Sequence, residues 1–386
     1  MTALTNLKEI NLSFSYNLIE LPNLSNATNL KTLTLYYCTS LVKLPSSISN
    51  LHKLKKLNVS SCKKLKVIPT NINLASLEEV DMSFCSRLRR FPDISRNIKK
   101  LNVASTQIEK PSSFRRLSYL EQLCIGGRSL ERLTHVPESL RKLDISHSGI
   151  EKIPDCVLGL QQLQTLIVES CTKLVSLTSL PPSLVSLNAK NCGSLERVCF
   201  SFRDPIKDLM FHNCLKLDEE ARRAIIQRRG DWDVWLPGKE VPAEFTHKAI
   251  GNSVTIPLVG ASSRFEACLL LPPAEEYACL VINCCIRSKR GAHINEFECG
   301  QWPSPQWPGF VTEHLVIFRG ELYKEKRSTE VDGTMSEILF EFSCEGGHQV
   351  MECGVHILRD EAASSSEVGN NNDHTDGDGD YEQEAV

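Results

Sequence analysis

The residues in this chain best suited to chemistry are its sixteen cysteines, because thiolates ligate metals, pair as disulfides and attack electrophiles. Each of those uses needs a spacing that is missing here. Cys38, Cys62, Cys85, Cys171, Cys192 and Cys214 lie at least 21 residues apart, and none belongs to a C-x2-C pair. Cys284, Cys285 and His293 are the raw material for an enzyme, but adjacent cysteines in an apolar run ordinarily belong to a core. Pro237-Gly238-Lys239-Glu240 lacks the first glycine and the hydroxyl of a phosphate-binding loop, and no H-E-x-x-H or G-x-S-x-G string occurs. Asp376, Asp378 and Asp380 imitate a calcium loop without placing its glycine and distal glutamate. The expectation is a chain with no catalytic residue, no cofactor and no metal site.

The cysteine spacing instead follows a repeat. Leu54 to Pro69, LKKLNVSSCKKLKVIP, sets Leu54, Leu57 and Val59 as L-x-x-L-x-L, then Cys62, then Leu65, Ile68 and Pro69. The same first position returns at Leu7, Leu30, Leu54, Leu77, Ile98, Leu120, Leu140, Leu163, Leu184 and Ile206, in steps of 20 to 24 residues. That period is the leucine-rich range, in which a short strand turns a corner at a small buried residue and neighbours stack into a parallel sheet. The corner residues read Ser15, Cys38, Cys62, Cys85, Thr106, Arg128, Ser148, Cys171, Cys192 and Cys214. Small side chains with a weak donor suit a dry corner. Arg128, after Gly126 and Gly127, breaks the ladder and predicts an irregular middle repeat. Leu44-Pro45, Ile68-Pro69, Phe91-Pro92 and Ile153-Pro154 end the ladder pairing and predict a convex side of loops and short 3₁₀ turns.

About ten repeats therefore occupy residues 1–217. Asp218 to Gly230, DEEARRAIIQRRG, predicts one helix with a capping Asp218, covering the open end of the solenoid within a linker over 218–231. Residues 232–359 hold strand-length runs at Ser253–Leu258, Phe265–Leu271, Tyr277–Ile286, Leu315–Phe318, Ile338–Phe342 and Val350–Leu358, which predict an all-β sandwich. Residues 360–386 contain nine Asp or Glu and no Lys or Arg, which predicts a disordered acidic tail.

Charge and hydropathy narrow the function classes. Removing that acidic tail turns the formal charge of −3 into +6, too small an excess to predict nucleic-acid binding. No apolar stretch approaches a membrane span, and the N-terminus does not read as a secretory signal. Four N-x-S/T sequons, at Asn11, Asn23, Asn26 and Asn58, weigh little against the expectation of reduced thiols and a cytoplasmic or nuclear location.

The repeat form L-x-x-L-x-L-x-x-C-x-x-L-x-x-L-P, the string LPGKEVPAEFTHKAIGNSVTI from Leu236 to Ile256 and the closing ECGVHIL of Glu352 to Leu358 resemble plant TIR-NBS-LRR disease resistance proteins. The second string is similar to the start of that family's post-repeat jelly-roll and Ig-like domain, C-JID. The resemblance covers residues 1 to 359 and implies an α/β leucine-rich-repeat solenoid, a parallel-strand horseshoe, followed by an all-β jelly-roll/Ig-like sandwich. It implies recognition of a pathogen effector or a host protein, with other receptor domains or a full-length paralogue as further partners. The family's NAD-hydrolysing TIR domain and its nucleotide-binding domain have no counterpart in these residues, so the expectation is binding without catalysis. An alternative is a scaffold or adaptor for a host client.

Side chains alternate along a strand, so the positions between the leucines are expected on the concave face. One column runs through Ser13, Tyr36, Ser60, Ser83, Ala104, Gly126, Ser146, Glu169, Lys190 and His212, and the next through Phe14, Tyr37, Ser61, Phe84, Ser105, Gly127, His147, Ser170, Asn191 and Asn213. Phe14, Tyr36, Tyr37, Phe84, His147, Glu169 and His212 are the candidate contacts. In the β-region, Trp302 and Trp307 of QWPSPQWPGF either cover the sandwich edge or make a second contact site.

Overall fold

The computed structural model describes residues 4–69, 74–92, 95–108, 114, 117–199, 205–227, 233–257, 264–274, 281–299, 309–323, 337–345 and 349–358. The predicted Trp302 and Trp307 site and the acidic tail lie outside them. Among the described residues, ten strands of three residues carry the repeats: β1 (Glu9–Asn11), β2 (Thr32–Thr34), β3 (Lys56–Asn58), β4 (Glu79–Asp81), β5 (Lys100–Asn102), β6 (Gln122–Cys124), β7 (Lys142–Asp144), β8 (Thr165–Ile167), β10 (Ser186–Asn188) and β12 (Asp208–Met210). Two-residue strands β9 (Ser176–Leu177) and β11 (Arg197–Val198) form a separate pair. Each of the ten starts two residues after the first apolar position of its repeat, and neighbours pair parallel with equivalent residues level, as in Leu33 opposite Leu57.

The leucines dictate this arrangement. Leu30, Leu33 and Leu35 are completely buried, while Thr32 and Thr34 between them stay partly open, and the next repeats follow suit. Burying one such side chain is worth roughly 1.5–3 kcal/mol, and a single repeat cannot supply the second wall. On the far side, Pro45 leads into the 3₁₀ turn Ser46–Asn50 and Pro154 into the short helix α1 (Asp155–Leu158).

The cysteines complete the corners. Leu35 O accepts the Cys38 N–H of its own repeat and, at 3.2 Å, the Cys62 thiol of the next. The same inter-repeat bond runs from Cys38 to Leu12 O, Cys85 to Val59 O, Cys192 to Val168 O and Cys214 to Ala189 O, at 3.0–3.1 Å. Cys171 shares the role with Ser148, whose hydroxyl lies 3.2 Å from its sulfur. At the sixth repeat the chain comes so close to the seventh that a Cβ on Gly126 would lie 2.1 Å from Ser146 O, and Arg128 turns out to solvent.

The end of the solenoid differs from the sequence expectation. Helix α2 (Glu219–Ile226) forms, with Asp218 Oδ1 accepting from Ala221 N at 2.7 Å, but it does not close the sheet. Strand β13 (Asp233–Pro237) does so, pairing parallel with β12. The sheet then continues through β19 (His314–Glu321), β16 (Arg264–Leu271), β21 (Glu352–Leu358) and β14 (His247–Ile250), giving fifteen strands in one ladder. A second sheet has the order β15 (Ser253–Pro257), β20 (Glu337–Cys344), β17 (Ile282–Ser288) and β18 (His293–Cys299). A core drawn from both sheets includes Trp235, Ile256, Phe265, Phe318, Phe340 and Phe342. No helix among the described residues is long and apolar enough to cross a membrane.

Burial pushes the Cys62 and Cys85 thiols up to about 12. A charged maleimide should therefore modify exposed Cys199 in the native protein and reach Cys62 and Cys85 only after denaturation, as read by peptide mass spectrometry. Native labelling of the ladder cysteines at the Cys199 rate would rule out the corner role.

Candidate functional site

Each strand lasts only three residues, so the two columns expected on the strand face lie beyond it. The second column occupies a left-handed corner: Phe14, Tyr37, Ser61, Phe84, Ser105, His147, Ser170, Asn191 and Asn213 have φ between 55° and 62°. In six of the repeats the turn is set by the strand's last residue. Asn11, Asn58, Asp81, Asn102, Asp144 and Asn188 each accept through Oδ1 from the backbone N–H two residues on, at 2.9–3.1 Å. The left-handed residue then donates its own N–H to the next repeat, as Phe14 does to Tyr36 O at 2.7 Å and Tyr37 to Ser60 O at 3.0 Å.

Most of these corners hold serine or asparagine, of which asparagine is the better suited to the conformation, and Phe14, Tyr37 and Phe84 are bulky residues in which it is rarer still. Phe14 and Phe84 are also more than half exposed. Phe14, Tyr36 and Tyr37 meet with ring centroids 5.1–5.9 Å apart, and Tyr16 joins from the edge at 6.3 Å. His147 is exposed at its own corner, and Glu169 Oε2 accepts from Asn188 Nδ2 at 3.3 Å.

The strand face itself carries charge. Glu79 lies between Lys56 at 3.0 Å and Lys100 at 3.2 Å, and Glu78 between Lys55 at 3.9 Å and Lys99 at 3.3 Å. Burial alone would raise the Glu79 carboxyl, but the hydrogen bonds and charges of Lys56 and Lys100 carry it below its usual range. A groove lined by Asn58, Asp81, Asn102, Cys124, Lys142 and Asp144 runs beside these pairs. These positions were missed in the sequence because the alternation was carried past the strand end.

His212 is a correction: it is 1% exposed and belongs to the junction between solenoid and β-region. Its ring stacks 5.2 Å from Trp235 and 5.8 Å from Phe310, and Phe310 stacks 4.2 Å from His314. Asn213, the last left-handed residue, has no following repeat. Its N–H donates instead to His314 Nε2 at 3.0 Å, while His314 Nδ1 donates to Thr312 O at 2.9 Å. Asn213 Nδ2 also reaches Gly309 O at 3.0 Å, and Oδ1 accepts from Val311 N at 3.1 Å. Burial pushes His314 down to about 4, with the Thr312 bond and Glu313 acting the other way, and pushes His212 well below its usual value.

The chain is 42% identical over 371 residues to the disease resistance protein RML1A of Arabidopsis thaliana, covering 93% of this chain and 36% of that protein. It is 39% identical over 368 residues to RML1B of the same plant, covering 94% and 35%. It thus spans about a third of the length of these curated relatives. No family model matches. Among solved structures, the leucine-rich repeat domain of the type III effector XopL aligns with a TM-score of 0.35 and 19% identity, covering 54% of this chain and 69% of that one. The functional domain of InlJ from Listeria monocytogenes, described as including a cysteine ladder, aligns with a TM-score of 0.27 and 17% identity, covering 66% and 78%.

The junction makes a pH prediction. His314 is neutral when folded down to about pH 4 but protonates near 6.5 when unfolded, so stability is full above pH 6.5 and falls as pH drops toward 4. The loss assigned to His314 is about 3 kcal/mol. Urea midpoints between pH 7 and 4 should fall less steeply in His314→Gln than in wild type, and parallel slopes would remove His314 from the account.

Proposed function

A homologue of plant disease resistance proteins over 93% of its length, the chain is, we propose, a protein-recognition module of an intracellular immune receptor, binding a pathogen effector or a host protein in defence. The observation that carries this reading is the aromatic corner. Phe14 and Tyr37 accept left-handed backbone that costs an ordinary residue roughly 1–2 kcal/mol, where other repeats use serine or asparagine. Every corner carries that cost, so what sets this one apart is the size of its rings, Phe14 more than half exposed and Tyr37 partly open, where most other repeats need only a small residue. Rings of this kind are frequent interface anchors. The charged strand face beside them, with Lys56, Glu79 and Lys100 already paired, supplies polar register around such an anchor.

Residues 232–359 are read as the second contact domain, a C-JID-like jelly-roll/Ig-like sandwich; two sheets sharing an aromatic core support that reading. We read the chain as a binder and not an enzyme. A cytoplasmic or nuclear location suits thiols that act as S–H donors, since oxidation would remove the donor.

The test is a capture screen with the full chain against pathogen effectors and host proteins, followed by Tyr36→Ala with Tyr37→Ala. The double variant should keep its far-ultraviolet circular dichroism and bind the captured partner at least tenfold more weakly. Unchanged affinity would move recognition away from the aromatic corner, making Trp302 and Trp307 the next residues to replace.

A further inference from the structure

We propose that the outer face of the second sheet holds a zinc-binding site formed by Cys285, His293 and Glu296. Cys285 on β17 and Glu296 on β18 are directly opposite each other in the antiparallel pair. Regular pairing would next set Ile294 opposite Arg287, on the same face as Cys285. The ladder instead shifts between Ile286 and Arg287, and His293 takes the place opposite Arg287. The extra residue is Ile294, which packs into the aromatic core, so the bulge turns His293 outward beside Cys285 and Glu296. Bulges re-aim side chains in this way and gather at functional sites.

The three potential ligand atoms lie within 4.8 Å of one another, and His293 Nε2 is 3.5 Å from Glu296 Oε2. Tetrahedral zinc holds sulfur at ~2.3 Å and nitrogen or oxygen at ~2.0–2.2 Å, which places ligand atoms roughly 3.4–3.6 Å apart, so the His293–Glu296 pair already fits and no pair has to close by more than about an ångström. Cys285 is partly exposed and the other two are exposed, so side-chain rotation alone covers that difference. The donor set is one sulfur, one imidazole nitrogen and one carboxylate oxygen. That mixture suits a borderline-soft divalent ion, whereas calcium and magnesium prefer oxygen throughout. Arg287 faces the Cys285 sulfur and donates through Nε to Glu341 at 2.9 Å on the other neighbouring strand, and Lys289 pairs with Glu337. Their charges are balanced without drawing on Glu296. Three protein ligands leave a fourth position open to solvent, for water or for a side chain of a bound protein.

Binding replaces the Cys285 S–H bond by a sulfur–zinc bond and releases the proton to solvent, so affinity should fall as pH is lowered. The corner cysteines provide an internal contrast, because their thiols are buried and hydrogen-bonded to backbone.

The experiment titrates the reduced full-length chain with Zn²⁺ by calorimetry and with Co²⁺ by absorption. One equivalent should bind, with a thiolate-to-cobalt charge-transfer band in the near ultraviolet. Cys285→Ser should abolish that band, and both Cys285→Ser and His293→Ala should weaken Zn²⁺ binding at least tenfold while keeping the wild-type circular dichroism. A wild-type chain without the band, or variants that bind like wild type, would overturn the site.

Discussion

One backbone bond repeats through the solenoid and sets the terms for everything attached to it. At every regular corner, a residue in left-handed conformation sends its N–H to the following repeat, so each unit is completed by its successor. The conformation is unfavourable for an L-residue by roughly 1–2 kcal/mol, and the bond offsets part of that only when a neighbour is present. The Asx turn before it and the thiol bond after it belong to the same device: one starts the turn, and the other satisfies a carbonyl that the turn leaves half used. Stability is thus shared between units, which is the hallmark of a one-dimensional array.

The array must end somewhere without losing that bond, and the β-region supplies the ending. His314 Nε2 stands where the next carbonyl would be, and β13 stands where the next strand would be. An imidazole can do this only in its neutral form, with the proton on Nδ1 held by Thr312. Trp235, Phe310 and His212 stack around the substitution and keep it dry.

Much of this order was legible in the sequence, because leucines every 20 to 24 residues leave few alternatives to a stacked strand. The cysteine corners were legible for the same reason. Side-chain direction was not, because a strand of three residues ends before alternation can be extended to Tyr36 or His212. Strands β14 and β18 were missed because charged and histidine residues on their open faces, such as Lys248, His293, Glu296 and Glu298, dilute the β pattern, and β13 because its short buried run ends in a proline. The junction was invisible in principle. Asn213 and His314 are 101 positions apart, and nothing local to either announces the other.

The unbroken run of fifteen strands also has a mechanical consequence. Hydrogen bonds across a sheet resist shear together, whereas a flexible tether between domains would yield first and pass on almost nothing. With β13 bonded to β12 on one edge and to β19 on the other, the β-region is in series with the repeats rather than hung from them. Torque applied at either end therefore meets hydrogen-bonded strands all along the ladder and no tether at which to dissipate.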